Sequence, residues 1–107
     1  MRLLTLSPFG QPRNSRECII WVLADRHFLT FRQMHRAVGR LLGRRLSYQG
    51  LYKAVNELIA DGQIKKFSRG VYGINPVWIT GLRAFCEVME RNYHATEIDE
   101  EVITWQK

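Results

Sequence analysis

The sequence contains no long apolar run and no motif that marks an enzyme. No stretch approaches the roughly 20 apolar residues of a membrane span, and residues 1–8 break off too early to make the apolar part of a signal peptide. A Gly-rich phosphate loop, a pairing of nucleophile and base, and a cluster of metal-binding carboxylates are also absent. We therefore expect a cytoplasmic protein that is not an enzyme and needs no cofactor.

Cysteine and histidine are scarce and widely spaced. The two cysteines, Cys18 and Cys86, lie in helical apolar patterns, which is typical of buried thiols in a reducing compartment. A disulfide between them, within or between chains, stays open. His27, His35 and His94 show no paired-ligand spacing, so we expect no metal site.

Acidic residues are in the minority, and their distribution is uneven. The 107 residues carry 16 Lys and Arg against 10 Asp and Glu, a net charge of +6, and 46% of them are apolar, enough for one modest core. Residues 1–75 hold 13 basic and 4 acidic residues, a net +9, whereas residues 76–107 hold 3 and 6, a net −3. This balance favours a polyanionic partner for the first part of the chain.

Two helices are predicted in the first half of the chain. Asn14 and Glu17 have the spacing of a capping box, which begins a first helix that runs to about Arg26. Thr30 caps a second helix, which ends at Gly43 and buries an apolar stripe. The stripe consists of Phe31, Met34, Val38, Leu41 and Leu42.

The first helix carries more apolar surface than one core face requires. Ile20 and Trp21 lie outside the face formed by Cys18 and its neighbours, so a further element is expected to pack there. The candidates are the N-terminal segment 3–6 and a second subunit.

The second helix also carries a basic row. Arg32, Arg36 and Arg40 recur at every fourth residue, and Arg44 and Arg45 extend the row beyond the helix. A charged row is usually just a solvated face. Because this one adjoins two further basic elements, we interpret it as a binding surface.

A third helix follows between Ser47, a plausible N-cap, and Gly62, a plausible stop. Its apolar stripe consists of Leu51, Ala54, Val55, Leu58 and Ile59. Gln49, Lys53 and Asn56 fall opposite that stripe, with tyrosines on its flank. These amide, ammonium and phenol groups are of the kind that reach base edges and phosphates.

A short hairpin is predicted directly after the third helix. Residues 64–67 and 71–74 are strand candidates, and residues 68–70 form a tight turn. Lys65, Lys66 and Arg69 make the tip basic. An isolated hairpin is marginal in water, so it is expected to pack on the helices through Ile64, Val71 and Ile74.

Residues 14–76 resemble the winged helix-turn-helix family of transcriptional regulators. The sequence at residues 51–64, Leu-Tyr-Lys-Ala-Val-Asn-Glu-Leu-Ile-Ala-Asp-Gly-Gln-Ile, looks like the recognition helix of that family followed by the entry to its wing. Residues 72–79 are similar to those of small archaeal or archaeal-virus members. The resemblance implies a mainly α fold with a small β-hairpin: a three-helix core plus wing and a long C-terminal helix. It also implies a domain at residues 1–75 that binds double-stranded DNA, associated with the nucleoid or, for a viral protein, in the host cytoplasm.

Within this hypothesis the polar residues divide into two roles. Base readout is predicted for Gln49, Tyr52, Lys53 and Asn56. Phosphate contacts are predicted for Arg32, Arg36, Arg40, Arg44, Arg45, Tyr48, Lys65, Lys66 and Arg69. Whether a small-molecule effector controls binding is not visible in the sequence.

The last helix is predicted at residues 76–93 and begins at Asn75 and Pro76. Its apolar seam consists of Trp78, Leu82, Phe85 and Met89, spaced for packing against another helix. The seam either closes the domain's own core or forms a homodimer, and we favour the homodimer. Two-fold pairing would separate two recognition helices by about one DNA turn, roughly 34–36 Å.

Residues 94–107 form an acidic tail that contains Trp105. Three interpretations of the tail stay open: it is a frayed end, it docks on a partner, or it covers the basic face of the chain. Two functions therefore stand: a sequence-specific regulator acting as a homodimer, or a protein-interaction or architectural module in a replication, transcription or virion assembly. In the second, the last helix and the tail would carry the function.

Overall fold

The computed structural model describes Pro12 and residues 14–97. This described part of the chain is mainly helical α+β, with four α-helices and a small antiparallel sheet. The helices are α1 (Ser15–Arg26), α2 (Phe31–Leu42), α3 (Tyr48–Ala60) and α4 (Pro76–Glu97), and the strands are β1 (Phe28–Thr30), β2 (Ile64–Lys66) and β3 (Val71–Ile74). No described helix is long and apolar enough to cross a membrane.

Each helix begins at the residue that its sequence signal predicted. The Asn14 side chain accepts a hydrogen bond from the Glu17 amide at 2.9 Å. Thr30 and Gln33 complete a capping box, in which each side chain accepts from the other residue's amide. Ser47 caps α3, and Asn75 accepts from the Val77 amide at 3.0 Å. These caps satisfy amides that have no partner within the helix.

The sheet has three strands, whereas the sequence predicted a two-stranded hairpin. β2 and β3 form that hairpin, and β1 pairs with the other edge of β3, with Leu29 opposite Tyr72. β1 has only three residues and follows His27, whose φ of 72° turns the chain out of α1. This third strand gives the hairpin a support that an isolated pair of strands lacks.

The core lies between α1, α2, α3 and the sheet. Its buried side chains are Cys18, Ile19, Val22, Leu23, Leu29, Met34, Ala37, Val38, Leu51, Ala54, Val55, Leu58, Ile64 and Tyr72. Phe31, Leu41 and Leu42 of the predicted α2 stripe are only partly buried at its edge. Ile59 was wrongly placed in the buried stripe of α3 and is 37% exposed, because eight residues beyond Leu51 the helix has turned it to the edge of the stripe.

α4 extends away from this core and continues four residues beyond its predicted end at residue 93. Only Trp78 of its apolar seam is half-buried, and every residue from Ile79 to Ala95 is exposed. Cys86 is therefore exposed, which corrects the prediction of a buried thiol, while Cys18 is buried as predicted. Both cysteines are free. The N-terminal segment 3–6 and the tail from residue 98 lie outside the described residues.

Candidate nucleic-acid interface

Helix α3 buries one side and exposes the other. Leu51 and Leu58 are at most 2% exposed, whereas Gln49, Lys53 and Asn56 are exposed on the opposite side. Gln49 and Asn56 are seven residues apart, so the exposed face extends for about 10 Å along the helix axis. The face therefore presents two amides and one ammonium group to solvent without a charged partner among the described residues.

Two tyrosines at the flank of this face are fixed against α2. The ring of Tyr52 stacks on that of Phe31, with centroids 3.9 Å apart and planes 14° apart. Tyr48 lies against Phe31 at 5.6 Å and against His35 at 4.4 Å. Both tyrosines remain about half exposed. Their rings thus join α2 to α3 while part of each side chain still faces solvent.

The turn between α2 and α3 is stabilised by His35, Leu46 and Gly50, for which the sequence predicted no role. His35 Nε2 donates a hydrogen bond to the Leu46 carbonyl at 2.5 Å. Leu46 packs partly buried against the core, in the position of a hydrophobic staple before the Ser47 cap. A Cβ at Gly50 would lie 3.3 Å from Leu46 Cδ1, so glycine leaves room for that leucine. The sequence does contain a signal for the role of Leu46, because an apolar residue directly before an N-cap is typical of a hydrophobic staple.

The basic residues form a broad exposed surface. Every predicted cation of α2, of the turn after it, of α3 and of the hairpin is exposed: Arg32, Arg36, Arg40, Arg44, Arg45, Lys53, Lys65, Lys66 and Arg69. None of them forms an ion pair with a described carboxylate. Among the described residues their charge is therefore uncompensated, and it is of the kind that attracts a polyanion.

The acidic residues near the end of α3 pair with Arg16 of α1, which is not one of the predicted DNA-contacting cations. Arg16, in the first turn of α1, forms an ion pair with Asp61 and lies 3.9 Å from Glu57. These carboxylates directly follow the exposed face of α3, and Glu57 is the neighbour of Asn56. Arg16 therefore offsets negative charge beside that face, a role that its position in the sequence did not indicate.

The hairpin is tied to the end of α3 at its base. The Gln63 amide donates to the Leu58 carbonyl at 3.0 Å, and the Asn75 amide donates to the Gln63 carbonyl at 2.9 Å. At the tip, Arg69 has a φ of 65° in the left-handed region and Gly70 has a φ of 71°. The direction of the hairpin is therefore set by backbone hydrogen bonds to the helix that precedes it.

The lysines of β2 lie over aromatic rings of the sheet. Lys65 Nζ is 5.5 Å from the centroid of Phe67, and Lys66 Nζ is 5.8 Å from that of Tyr72. Phe67 also meets Phe28 of β1 edge to face, with centroids 5.2 Å apart. Each ammonium group therefore lies at the distance of a cation–π contact from a ring of the sheet while its side chain remains exposed.

The structure thus places the predicted α3, α2 and hairpin residues on exposed surfaces and leaves the roles assigned to them as predictions. The predicted dimer residues lie apart from them on α4. Comparison with protein-family models, with curated proteins and with solved structures finds no match for this chain. Its function is therefore argued from its own residues.

Proposed function

We propose that the protein binds double-stranded DNA sequence-specifically as a winged helix-turn-helix transcriptional regulator and that it acts as a homodimer. The observation that carries this proposal is the exposed face of α3, whose amide and ammonium side chains lie beside basic residues that form no ion pair with a described carboxylate. In this proposal α2 and α3 form the helix-turn-helix, α3 is the recognition helix, and the β2–β3 hairpin is the wing.

The dimensions of α3 suit the major groove. An α-helix with its side chains is about 10–12 Å wide, and the groove of B-DNA is about 12 Å wide. The distance from Gln49 to Asn56, about 10 Å along the axis, spans roughly three base pairs. Gln49 and Asn56 are suited to paired hydrogen bonds with adenine, and Lys53 is suited to the acceptors of guanine.

The remaining cations fit contacts that do not read sequence. Arg32, Arg36 and Arg40 lie along α2, which in this arrangement crosses the phosphate backbone. Arg69 at the tip of the wing reaches a backbone or a minor groove beside the site. Tyr48, fixed against α2, adds a hydroxyl group to these phosphate contacts.

Selection of bound sequences from a random duplex pool at near-physiological salt tests the proposal directly. Enrichment of a two-fold symmetric site by the wild-type protein is the expected result. Uniform binding of all duplexes, abolished by salt, would contradict sequence-specific recognition.

Three single variants separate the proposed roles. Asn56→Ala should lower affinity for the selected site by about 1–3 kcal/mol and relax preference at one position. Arg36→Ala should weaken binding to selected and random DNA alike and reduce the salt slope by about one. Arg91→Ala, which removes the same charge from α4, is the matched control and should change neither. Equal losses for Asn56→Ala and Arg36→Ala on both kinds of DNA would count against the division.

One observation favours the alternative of a protein-interaction or architectural module. α4 exposes large apolar side chains, including Phe85 at 60% and Tyr93 at 66%. If the protein is such a module, no sequence should be enriched from the duplex pool. Substitutions in α4, and not those in α3, should then abolish binding of the partner protein.

A further inference from the structure

Helix α4 separates its charges from its large apolar residues between Trp78 and Arg91. Read as heptads, it has Leu82 and Met89 at one seam position and Trp78 and Phe85 at the other. The positions beside the seam are apolar or small: Ile79, Gly81, Cys86, Val88, Tyr93 and Ala95. The charged residues before the last turn, Arg83, Glu87, Glu90 and Arg91, all fall outside the seam and its flanks. Such a face is typical of a helix that packs lengthwise against another helix.

The chain's own domain does not cover this face. Leu82, Phe85 and Met89 are 42%, 60% and 47% exposed. With about 150–250 Å² for a whole aromatic residue as the scale, the exposed apolar side chains of α4 offer roughly 500 Å² per chain. Two copies would bury about 1,000 Å² in total, which reaches the lower size of specific interfaces. A second copy of the same helix is therefore a sufficient partner.

We propose that α4 pairs with α4 of a second copy in antiparallel orientation over its full length, with the two-fold axis beside Cys86. This inference rests on the homodimer of the proposed function and specifies its geometry. Full overlap of two 22-residue helices places the axis at the helix midpoint, between Cys86 and Glu87. Cys86 is exposed on the flank of the seam, so the two copies of this thiol come close together across the axis.

Charge complementarity favours the antiparallel orientation. The first half of α4, residues 76–86, carries Arg83 and no acidic residue, whereas residues 87–97 carry three Glu against Arg91. Antiparallel overlap places the net positive half of each helix beside the net negative half of the other, and it also sets opposite ends of the two helix dipoles side by side. In a parallel pair, halves of like charge lie side by side. Antiparallel overlap also brings Phe85 beside Met89 of the partner subunit.

The position of the domain on α4 gives a second reason. The domain is attached at Pro76, the first residue of the helix, so antiparallel pairing places the two domains at opposite ends. Twenty-two residues at 1.5 Å each make a helix of about 33 Å. That length is close to the roughly 34–36 Å between half-sites one DNA turn apart. Parallel pairing would instead crowd both domains at the same end.

Oxidative cross-linking of the native cysteines tests the geometry in the absence of DNA. Mild copper-catalysed oxidation should convert most of the wild-type protein into a covalent dimer on a non-reducing gel. Cys86→Ser should remove that dimer completely, because Cys18 is fully buried and cannot reach a second chain. A protein of monomeric mass that forms no cross-link would overturn the proposal.

A second cysteine position reports the opposite orientation. In Leu82→Cys combined with Cys86→Ser, the new thiols lie about 13 Å apart along an antiparallel pair and face each other in a parallel one. No cross-link is expected from this variant. Efficient cross-linking of it, without cross-linking of Cys86 in the wild type, would show a parallel dimer and overturn the proposal.

Substitution in the seam provides a test that needs no cysteine. Phe85→Asp should raise the dimer dissociation constant at least about tenfold in sedimentation experiments, whereas Glu87→Gln, at a position outside the seam and its flanks, should leave it unchanged. Wild-type dimerisation of Phe85→Asp would contradict pairing through this face. Because no DNA is present, a failed dimer geometry and a failed DNA-binding function give separate results.

Discussion

The ring of Phe31, the first residue of α2, stacks on the ring of Tyr52 in α3 with centroids 3.9 Å apart. The contact joins the start of the helix that carries the basic row to the middle of the helix that carries the polar face. A stacked pair of this kind contributes about 0.5–1.5 kcal/mol beyond the area it buries. The ring of Tyr52 therefore stabilises the packing of α2 against α3, and the hydroxyl group is the part of this side chain that is left for DNA recognition.

Two substitutions separate the ring from the hydroxyl of Tyr52. Tyr52→Phe keeps the stacking and should leave the free energy of unfolding within about 0.5 kcal/mol, while lowering affinity for the selected DNA site. Tyr52→Ala removes the ring and should cost about 1–2 kcal/mol of stability as well. Urea denaturation and DNA titration of both variants measure the two effects. Wild-type DNA affinity in Tyr52→Phe would show that the hydroxyl group makes no contact with DNA.

The features of the fold that were predicted from the sequence depend on near neighbours in the chain. Asn14, Thr30 and Ser47 each bond to an amide three residues further on, so a short stretch of sequence contains the whole signal. The buried sides of the helices follow from the same local periodicity. The prediction that Ile59 is buried was wrong, because this residue lies at the edge of the buried stripe of α3 and is 37% exposed.

The missed features depend on residues that are distant in sequence. β1 forms because Leu29 pairs with Tyr72, which is 43 residues away in the sequence. The turn before β1 requires His27 to adopt a positive φ, which is uncommon for residues other than glycine. The ion pair between Arg16 and Asp61 likewise joins the first turn of α1 to the end of α3. No local pattern contains such pairs. The surface positions of the predicted site residues followed from periodicity, but the fixing of Tyr48 and Tyr52 by α2 did not.

Gly73 leaves room for the third strand. A Cβ at this residue would lie 2.9 Å from Phe28 Cδ1, closer than real Cβ atoms approach, and 3.0 Å from the His27 carbonyl oxygen, which is tighter than most Cβ contacts. Gly73→Ala should therefore lower the free energy of unfolding by about 1–3 kcal/mol. Gly39→Ala in α2, whose new Cβ would make only an ordinary contact at 3.6 Å, should raise stability by about 0.5–1 kcal/mol. Equal stability of the two variants would contradict a tight approach of β1 to β3.

Arg16 should influence DNA binding through the acids of α3. Arg16→Met leaves Glu57 and Asp61 without their cation, and in the proposed complex these carboxylates would then repel the phosphates beside α3. We expect a loss of affinity of about two- to fivefold at low salt, with a stability change below about 1 kcal/mol because the pair is exposed. Adding Asp61→Asn should recover part of the affinity. If the double variant binds no better than Arg16→Met, Arg16 acts by another route, such as direct contact with DNA.

Cys18 should make the protein sensitive to alkaline pH. Its thiol has a pKa above the ordinary value of 9.0, chiefly because burial disfavours the thiolate and secondarily because Glu17 is near, while Arg44 opposes the shift. Well below pH 9.0 the folded and unfolded states both keep the proton, so the contribution of the neutral thiol to stability is intact. As the pH rises through the unfolded pKa toward the folded one, the unfolded chain loses its proton first, and stability falls by up to about 1.4 kcal/mol per pH unit.

Substitution of each cysteine isolates this effect from the other contributions to the pH dependence of stability. Urea denaturation between pH 8 and 10.5, a window of roughly the ordinary thiol range, should show a shallower fall for Cys18→Ala than for the wild type. Cys86→Ser, which removes the exposed thiol, should follow the wild-type slope. A thiol reagent at pH 8 should react rapidly with Cys86 and with Cys18 only after unfolding. Parallel pH curves for the wild type and Cys18→Ala would show that the buried thiol does not couple folding to pH.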